Sequence, residues 1–135
     1  MILKLKHSQT QKKLSNDDIH LMPCRIHAEG QYKITEYFKP YIDNEKSDEM
    51  KASFRGRSLQ GKVVHLPENY IGVVAQAGKS PDTETKNLFV TSTFASMTFW
   101  NWDKPPSKND PFLKAMDWIE IAEALHAPVV DVPKE

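Results

Sequence analysis

The sequence predicts a mainly β domain of the small-barrel kind, closed by one C-terminal helix. Three observations carry this expectation. Short runs of alternating apolar and polar residues recur along the chain. Threonine and aromatic residues, which suit a pleated surface, crowd the run "NLFVTSTFASMTFWNW" at 87–102. No strand–helix–strand alternation occurs anywhere, so a parallel α/β architecture is disfavoured. About six to eight strands and one terminal helix are expected.

Taken in order, residues 1–18 are polar, end in "LSNDD" and are expected to be loosely ordered. The single folded domain is expected over 19–135. "IHLMPCRIHA" would set Met22, Cys24, Ile26 and Ala28 on one strand face, with Pro23 demanding an edge or a bulge. After the turn signal Glu29-Gly30, "YKITEYF" alternates through Tyr32, Ile34 and Phe38, and the two runs predict a hairpin. Residues 43–49 form an acidic, solvated loop. "MKASFRGRSL" and "KVVHLP" predict short strands bent around glycine. "YIGVVAQA" is apolar on both faces, as a buried central strand would be. Residues 78–86 form a polar loop. The run 87–102 is one long bent strand or two, with Ala95, Met97 and Phe99 on one face and Phe94 and Trp100 on the other. Bulk on both sides calls for cover on both sides, as at an interface or in a closed barrel. Residues 103–111 are a proline-rich loop. The helix follows, with Asp117 and Glu120 as a capping pair and Trp118, Ile121, Ala122 and Leu125 as its apolar stripe. His126 suits its last turn, and Pro128 stops it. The tail 129–135 is short and suits an extended form.

Composition bounds what such a domain can do. The 135 residues fit one domain, but only 39% are apolar and the mean hydropathy is −0.57. A small chain with so thin a core is a candidate for burying its remaining apolar surface against a partner. The 18 basic and 18 acidic residues balance, which excludes a wholly basic nucleic-acid-binding surface and leaves room only for a local patch. The lone Cys24 precludes an intrachain disulfide and suits a reducing compartment. No run resembles a signal peptide or approaches the ~20 apolar residues of a membrane span. A soluble intracellular protein is expected.

The stretch "SFRGRSLQGKVV" at 53–64 holds most of a phosphate-binding loop, with four residues between Gly56 and Gly61-Lys62. Val63 stands where a Mg²⁺-binding hydroxyl is required, and a strand follows where a helix should open. The glycines are better read as a turn or bulge. His20, Cys24 and His27 do not share one strand face, and no second cluster supplies further zinc ligands. Cys24 then stands as a small core residue. No nucleophile elbow is present, and nothing around Cys24 lowers its pKa. Asp17-Asp18 are adjacent carboxylates that point apart on extended backbone rather than a two-metal pair. Arg55, Arg57 and Lys62 near Phe54 suggest a basic groove for single strands. The two arginines, on one strand face, equally suit carboxylate forks across a protein interface. The residues alone leave both readings open.

Several blocks, in order, resemble the C subunit of the eukaryotic type-2 ribonuclease H complex. "IHLMPC" at 19–24 resembles that family's L-x-L-x-P-C block, and "SFRGRSLQG" at 53–61 its S-F-R-G-R-x-L-x-G signature. "LPENYIGVVA" follows as the P-x-x-x-x-G-x-V block would. "FASMTFW" at 94–100 resembles F-x-x-x-T-x-W, and "WIEIAEALHAPV" the terminal helix W-x-x-L-A-x-A-[IL]-H. The resemblance runs from Ile19 to Val129, and the F-R-G-R block is its most specific part. It departs at a shortened acidic insert near 78–86 and at Gln60, where some members carry a basic residue.

The resemblance implies a non-catalytic nuclear subunit that intertwines with the B subunit in a triple barrel and docks with the catalytic A subunit. The assembled enzyme would degrade the RNA of RNA–DNA hybrids and incise at ribonucleotides embedded in DNA, as in ribonucleotide excision repair. The active-site carboxylates and their Mg²⁺ would lie on the catalytic subunit, leaving this chain without catalytic, cofactor-binding or metal-binding residues. Phe54, Arg55, Gly56, Arg57, Phe94, Phe99, Trp100 and Trp118 are the expected structural and interaction residues. The alternative is a free-standing small β-barrel that binds nucleic acid.

Overall fold

A computed structural model describes residues 1–44, 48–80 and 82–130, and of residues 8–10 the backbone alone. Its elements are β1 (Ile2–Leu14), β2 (His20–Leu21), α1 (Ile34–Tyr37), a 3-10 helix (Lys39–Tyr41), β3 (Asp43–Asn44), β4 (Glu49–Phe54), β5 (Arg57–His65), β6 (Gly72–Ala77), β7 (Thr85–Phe94), β8 (Ser96–Trp102) and α2 (Pro111–His126). One sheet has the order β1-β7-β6, the other β2-β8-β5-β4-β3. The mainly β class with one C-terminal helix is what the sequence predicts.

The aromatic run 87–102 is the axis of the molecule. It lies in two strands, β7 and β8, broken by a bend at Ala95, and each strand belongs to a different sheet. The N-terminal segment follows it in parallel across the same break. Leu14 pairs with Phe94 at the end of β1, and His20 pairs with Thr98 in β2. Between them Asp18 closes a turn by accepting from the Ser15 N–H at 3.1 Å. Thr98 fastens the turn to β8, donating its hydroxyl to the Asn16 carbonyl at 3.0 Å.

The hydrophobic core sits in the five-stranded sheet. Trp100, Leu59 and Met50 form its buried centre, with Met22, Phe38, Ile42, Ala52, Phe54, Val63 and Trp102 packed around them. Fully burying one such side chain contributes about 1.5–3 kcal/mol. β8 is covered on both faces, as its two-sided bulk requires. Residues of the 16–42 segment cover the Trp100 side, and α2 covers the other, where Phe112 stacks on Phe99 with ring centroids 5.2 Å apart.

Five expectations are corrected. Residues 1–18 hold a 13-residue strand, because β7 offers β1 a free edge along nearly its whole length. The hairpin expected at 19–38 is absent: only His20–Leu21 is strand, and 34–41 turn helical. Pro23 cannot donate to a ladder, and its carbonyl is taken by the Trp102 indole at 2.9 Å. The run "YIGVVAQA" contributes β6, an edge strand and not a central one. α2 starts at Pro111 behind Asp110, ahead of the expected Asp117 cap, since proline at the first helical turn needs no N–H partner. Arg55 lies in a turn and does not share a strand face with Arg57. Of the predicted loops and tail, residues 45–47, 81 and 131–135 lie outside the described residues.

Candidate functional site

The F-R-G-R stretch is a two-residue hairpin between β4 and β5. Phe54 pairs with Arg57 across it. Arg55 and Gly56 have φ of +49° and +76°, the pair of left-handed values that a type I′ turn requires and that matches the twist of the flanking strands. Gly56 supplies one of these without strain; Arg55 adopts the other with a side chain. The turn aims its two arginines differently. The Arg57 guanidinium lies 4.4 Å from the centroid of the Trp102 ring and 3.7 Å from the Asp103 carboxylate, so it is held against β8. Arg55 is exposed and lies 5.9 Å from the centroid of the Phe54 ring.

Grooves flank the hairpin. One, of about 710 Å³, is lined by His20, Met22, Ile26, Tyr32, Phe54 and Arg55 among others. The other, of about 430 Å³, runs past Cys24, His27, Arg55, Arg57 and Trp102. Both draw part of their walls from the irregular 22–33 segment, where the expected hairpin is missing. The walls mix apolar and aromatic side chains with polar ones: Asp18, His20, Lys33 and Arg55 in the larger groove, and Arg25, His27, Arg55 and Arg57 in the smaller.

Beneath the larger groove lies a knot that the sequence pattern does not reveal. His20 Nε2 donates to the Asp17 carbonyl at 2.8 Å, and its Nδ1 accepts from the Trp100 indole at 3.0 Å. Phe38 meets both rings edge-on, at centroid distances of 5.4 Å and 5.9 Å. Burial pushes the His20 pKa below its ordinary value, outweighing the Asp17 carbonyl, which raises it. Nearby, the Lys39 ammonium, 2.9 Å away, and then the Ser15 N–H hold the Asp18 carboxyl down at about 2. The one local signal is a histidine just after Asp18 on an apolar run. Nothing local says that Trp100 donates to it.

Gly61 explains the second glycine of the apparent phosphate loop. It pairs with Trp100, and a Cβ there would lie 2.5 Å from the Trp100 ring. The glycine makes room for an indole, not for a phosphate. Of the other expected residues, Phe94 lies over Gly72. Phe99 and Trp100 are buried inside this chain, so they shape any surface only from beneath. Trp118 is 65% exposed, with Ile121 and Leu125 beside it on α2; the predicted apolar stripe faces outward from this chain. His20, Cys24 and His27 are not gathered: both His20 nitrogens are occupied, and among the described residues no three His, Cys, Asp or Glu side chains form a metal-binding group.

The family model described as "Ribonuclease H2 non-catalytic subunit (Ylr154p-like)" matches residues 18–92 and 77–125. The chain is similar to the C subunit of ribonuclease H2 from Bos taurus, 28% identical over 82% of this chain and 81% of the relative. It is similar to the protein of the same name in Mus musculus at 25% identity over the same shares. An uncharacterized protein of Schizosaccharomyces pombe is 32% identical over 76% of this chain and 78% of its own length.

Proposed function

Because the chain belongs to the ribonuclease H2 non-catalytic subunit family, we propose that it works as the structural subunit of a heterotrimer, intertwined with the B subunit and docked with the catalytic A subunit. The complex would act in the nucleus on RNA–DNA hybrids and on ribonucleotides embedded in DNA. The catalytic carboxylates and their Mg²⁺ belong to the catalytic subunit in this reading, and no cofactor is assigned to this chain.

One observation carries the assembly reading. The chain exposes 11039 Å², whereas a compact protein of 15.5 kDa exposes about 7,200 Å². Large apolar side chains contribute to it: Ile2, Leu3, Leu5, Ile71 and Val73 on or beside the three-stranded sheet and Trp118, Ile121 and Leu125 on α2 are all exposed. Among the described residues that sheet also ends in two unpaired edges, β1 and β6, which a partner's strands would complete into a barrel. The triple barrel accounts for an open sheet that a free-standing barrel would not leave.

Coexpression with the family's B and A subunits tests this. The expected result is a soluble complex holding one copy of each chain, with cleavage of hybrids that depends on Mg²⁺ and on the catalytic subunit. Recovery of this chain as a stable folded monomer that ignores the B subunit and binds nucleic acid by itself would favour the free-standing module. Cleavage by the isolated chain would overturn the accessory role.

A further inference from the structure

The positive charge of this neutral chain is not where the sequence motif suggests. Arg57 is held against Trp102 and Asp103, and Lys62 pairs with Phe99, on the opposite face of β5 from Arg57. The basic cluster expected around F-R-G-R is therefore divided. Strand β1 is different. Residues 1–16 contain Lys4, Lys6, Lys12 and Lys13 and no aspartate or glutamate. The rest of the chain carries the compensating acidic excess.

The register sorts these lysines. Lys4 pairs with Asn87 and Lys6 with Phe89, while Leu3 and Leu5 pair with Lys86 and Leu88. Lys4 and Lys6 therefore project from one face, and the leucines from the other. Ile2 pairs with Thr85 and so begins the lysine face, whereas a partner seated on Leu3 and Leu5 on the other face leaves Lys4 and Lys6 uncovered. Adjacent Lys12 and Lys13 point to opposite faces of the strand, so one of them extends the row. Lys6 is steadied over the exposed Phe89 ring, 5.6 Å from its centroid. Among the described residues none of the four is ion-paired. Asp82, in the turn before β7, accepts from the Glu84 and Thr85 N–H groups.

We propose that the Lys4–Lys6 face of β1 binds the phosphate backbone of the nucleic acid on which the complex acts. This rests on the assembly reading for the identity of the ligand. Successive same-face lysines stand about 6.6–7 Å apart along a strand, which lets each ammonium reach its own phosphate. Contacts of this kind carry no sequence information; they add affinity and hold the duplex in register. Unpaired ammonium groups on an acid-free strand are the partner that a polyanion requires.

The test is the salt dependence of binding to an RNA–DNA hybrid by the purified complex, with Ca²⁺ in place of Mg²⁺ to block cleavage. Loss of two phosphate contacts lowers the slope of log affinity against log salt by about 1.8. Lys4→Gln/Lys6→Gln should show that loss, and Lys4→Arg/Lys6→Arg should restore the original slope. An unchanged slope in the glutamine variant overturns the proposal. So does a glutamine variant that no longer co-purifies while the arginine variant does, since the lysines then hold a protein partner. Failure of the unaltered chain to co-purify overturns the assembly reading instead, and the same titration on the full chain alone then decides the patch.

Discussion

Gly61 and Trp100 show how one position can be read two ways. In sequence, Gly61-Lys62 completes most of a phosphate loop; in the fold, the glycine is the floor on which the indole rests. Gly61→Ala should therefore cost about 1–3 kcal/mol, the usual cost of overpacking, read as a lower unfolding midpoint of the full chain as purified. Gly56→Ala meets nothing within 4 Å, yet φ is +76°, so its cost is backbone strain of about 1–2 kcal/mol. His20 gives the molecule a pH response. Unfolded histidine titrates near 6.5, and burial holds folded His20 below that. The unfolded chain thus binds more protons as pH falls below about 6.5, and stability present above that pH is lost toward the folded pKa. Denaturation midpoints at about pH 7.5 and about pH 5.5, either side of the unfolded value, should show this loss, and His20→Phe should remove the His20 part of it. That variant also leaves the Trp100 N–H without its acceptor, at about 1–3 kcal/mol; a wild-type slope in the variant would refute the assignment.

Among the elements, α2 and β1 depart furthest from expectation. α2 carries two apolar stripes. Phe112, Met116 and Ile119 are half-buried, with Phe112 stacked on Phe99. Trp118, Ile121 and Leu125 are 65%, 44% and 75% exposed. A helix apolar on two sides suits burial on both, and in the proposed assembly a second chain would cover the Trp118 side. Phe112→Ala should lose the stacking contribution of about 0.5–1.5 kcal/mol and speed amide exchange across α2. Trp118→Ala should leave the isolated chain within about 0.5 kcal/mol and weaken co-purification of the complex. A Trp118→Ala chain that assembles as well as the original would remove α2 from the interface. For β1, the period-two contrast of Leu3 and Leu5 with Lys4 and Lys6 is present in the sequence, but the polarity of the whole segment outweighs it, and the strand exists because β7 supplies a parallel edge.

At the scale of the whole molecule, two sheets are joined through one bent strand, and among the described residues the buried core cluster draws only on the five-stranded sheet. The buried hydrophobic residues of the five-stranded sheet are Met50, Leu59, Val64, Phe99 and Trp100; the three-stranded sheet contributes Val90. The second sheet is thus poorly supported by its own chain. Amide hydrogens of the edge strand β6 should exchange faster than those of β5 in the chain alone, and should slow markedly on assembly. Equal protection of β6 in both states would mean that the sheet needs no partner.

The β class, the two-sided aromatic strand, the terminal helix and the family are all legible in the residues alone, because each rests on residue type and period over a few neighbours. The shortage of core is legible too, since it is a matter of composition. What each side chain meets emerges only in three dimensions. Long-range contacts turn Gly61 into a seat for Trp100, join His20 to that same distant indole, and set Arg57 on Trp102. They also recruit the polar N-terminus as a strand and hold the segment after Pro23 out of the ladder. Local propensity is weak where a free sheet edge or a buried indole offers a stronger partner, and those partners are specified far away in the chain.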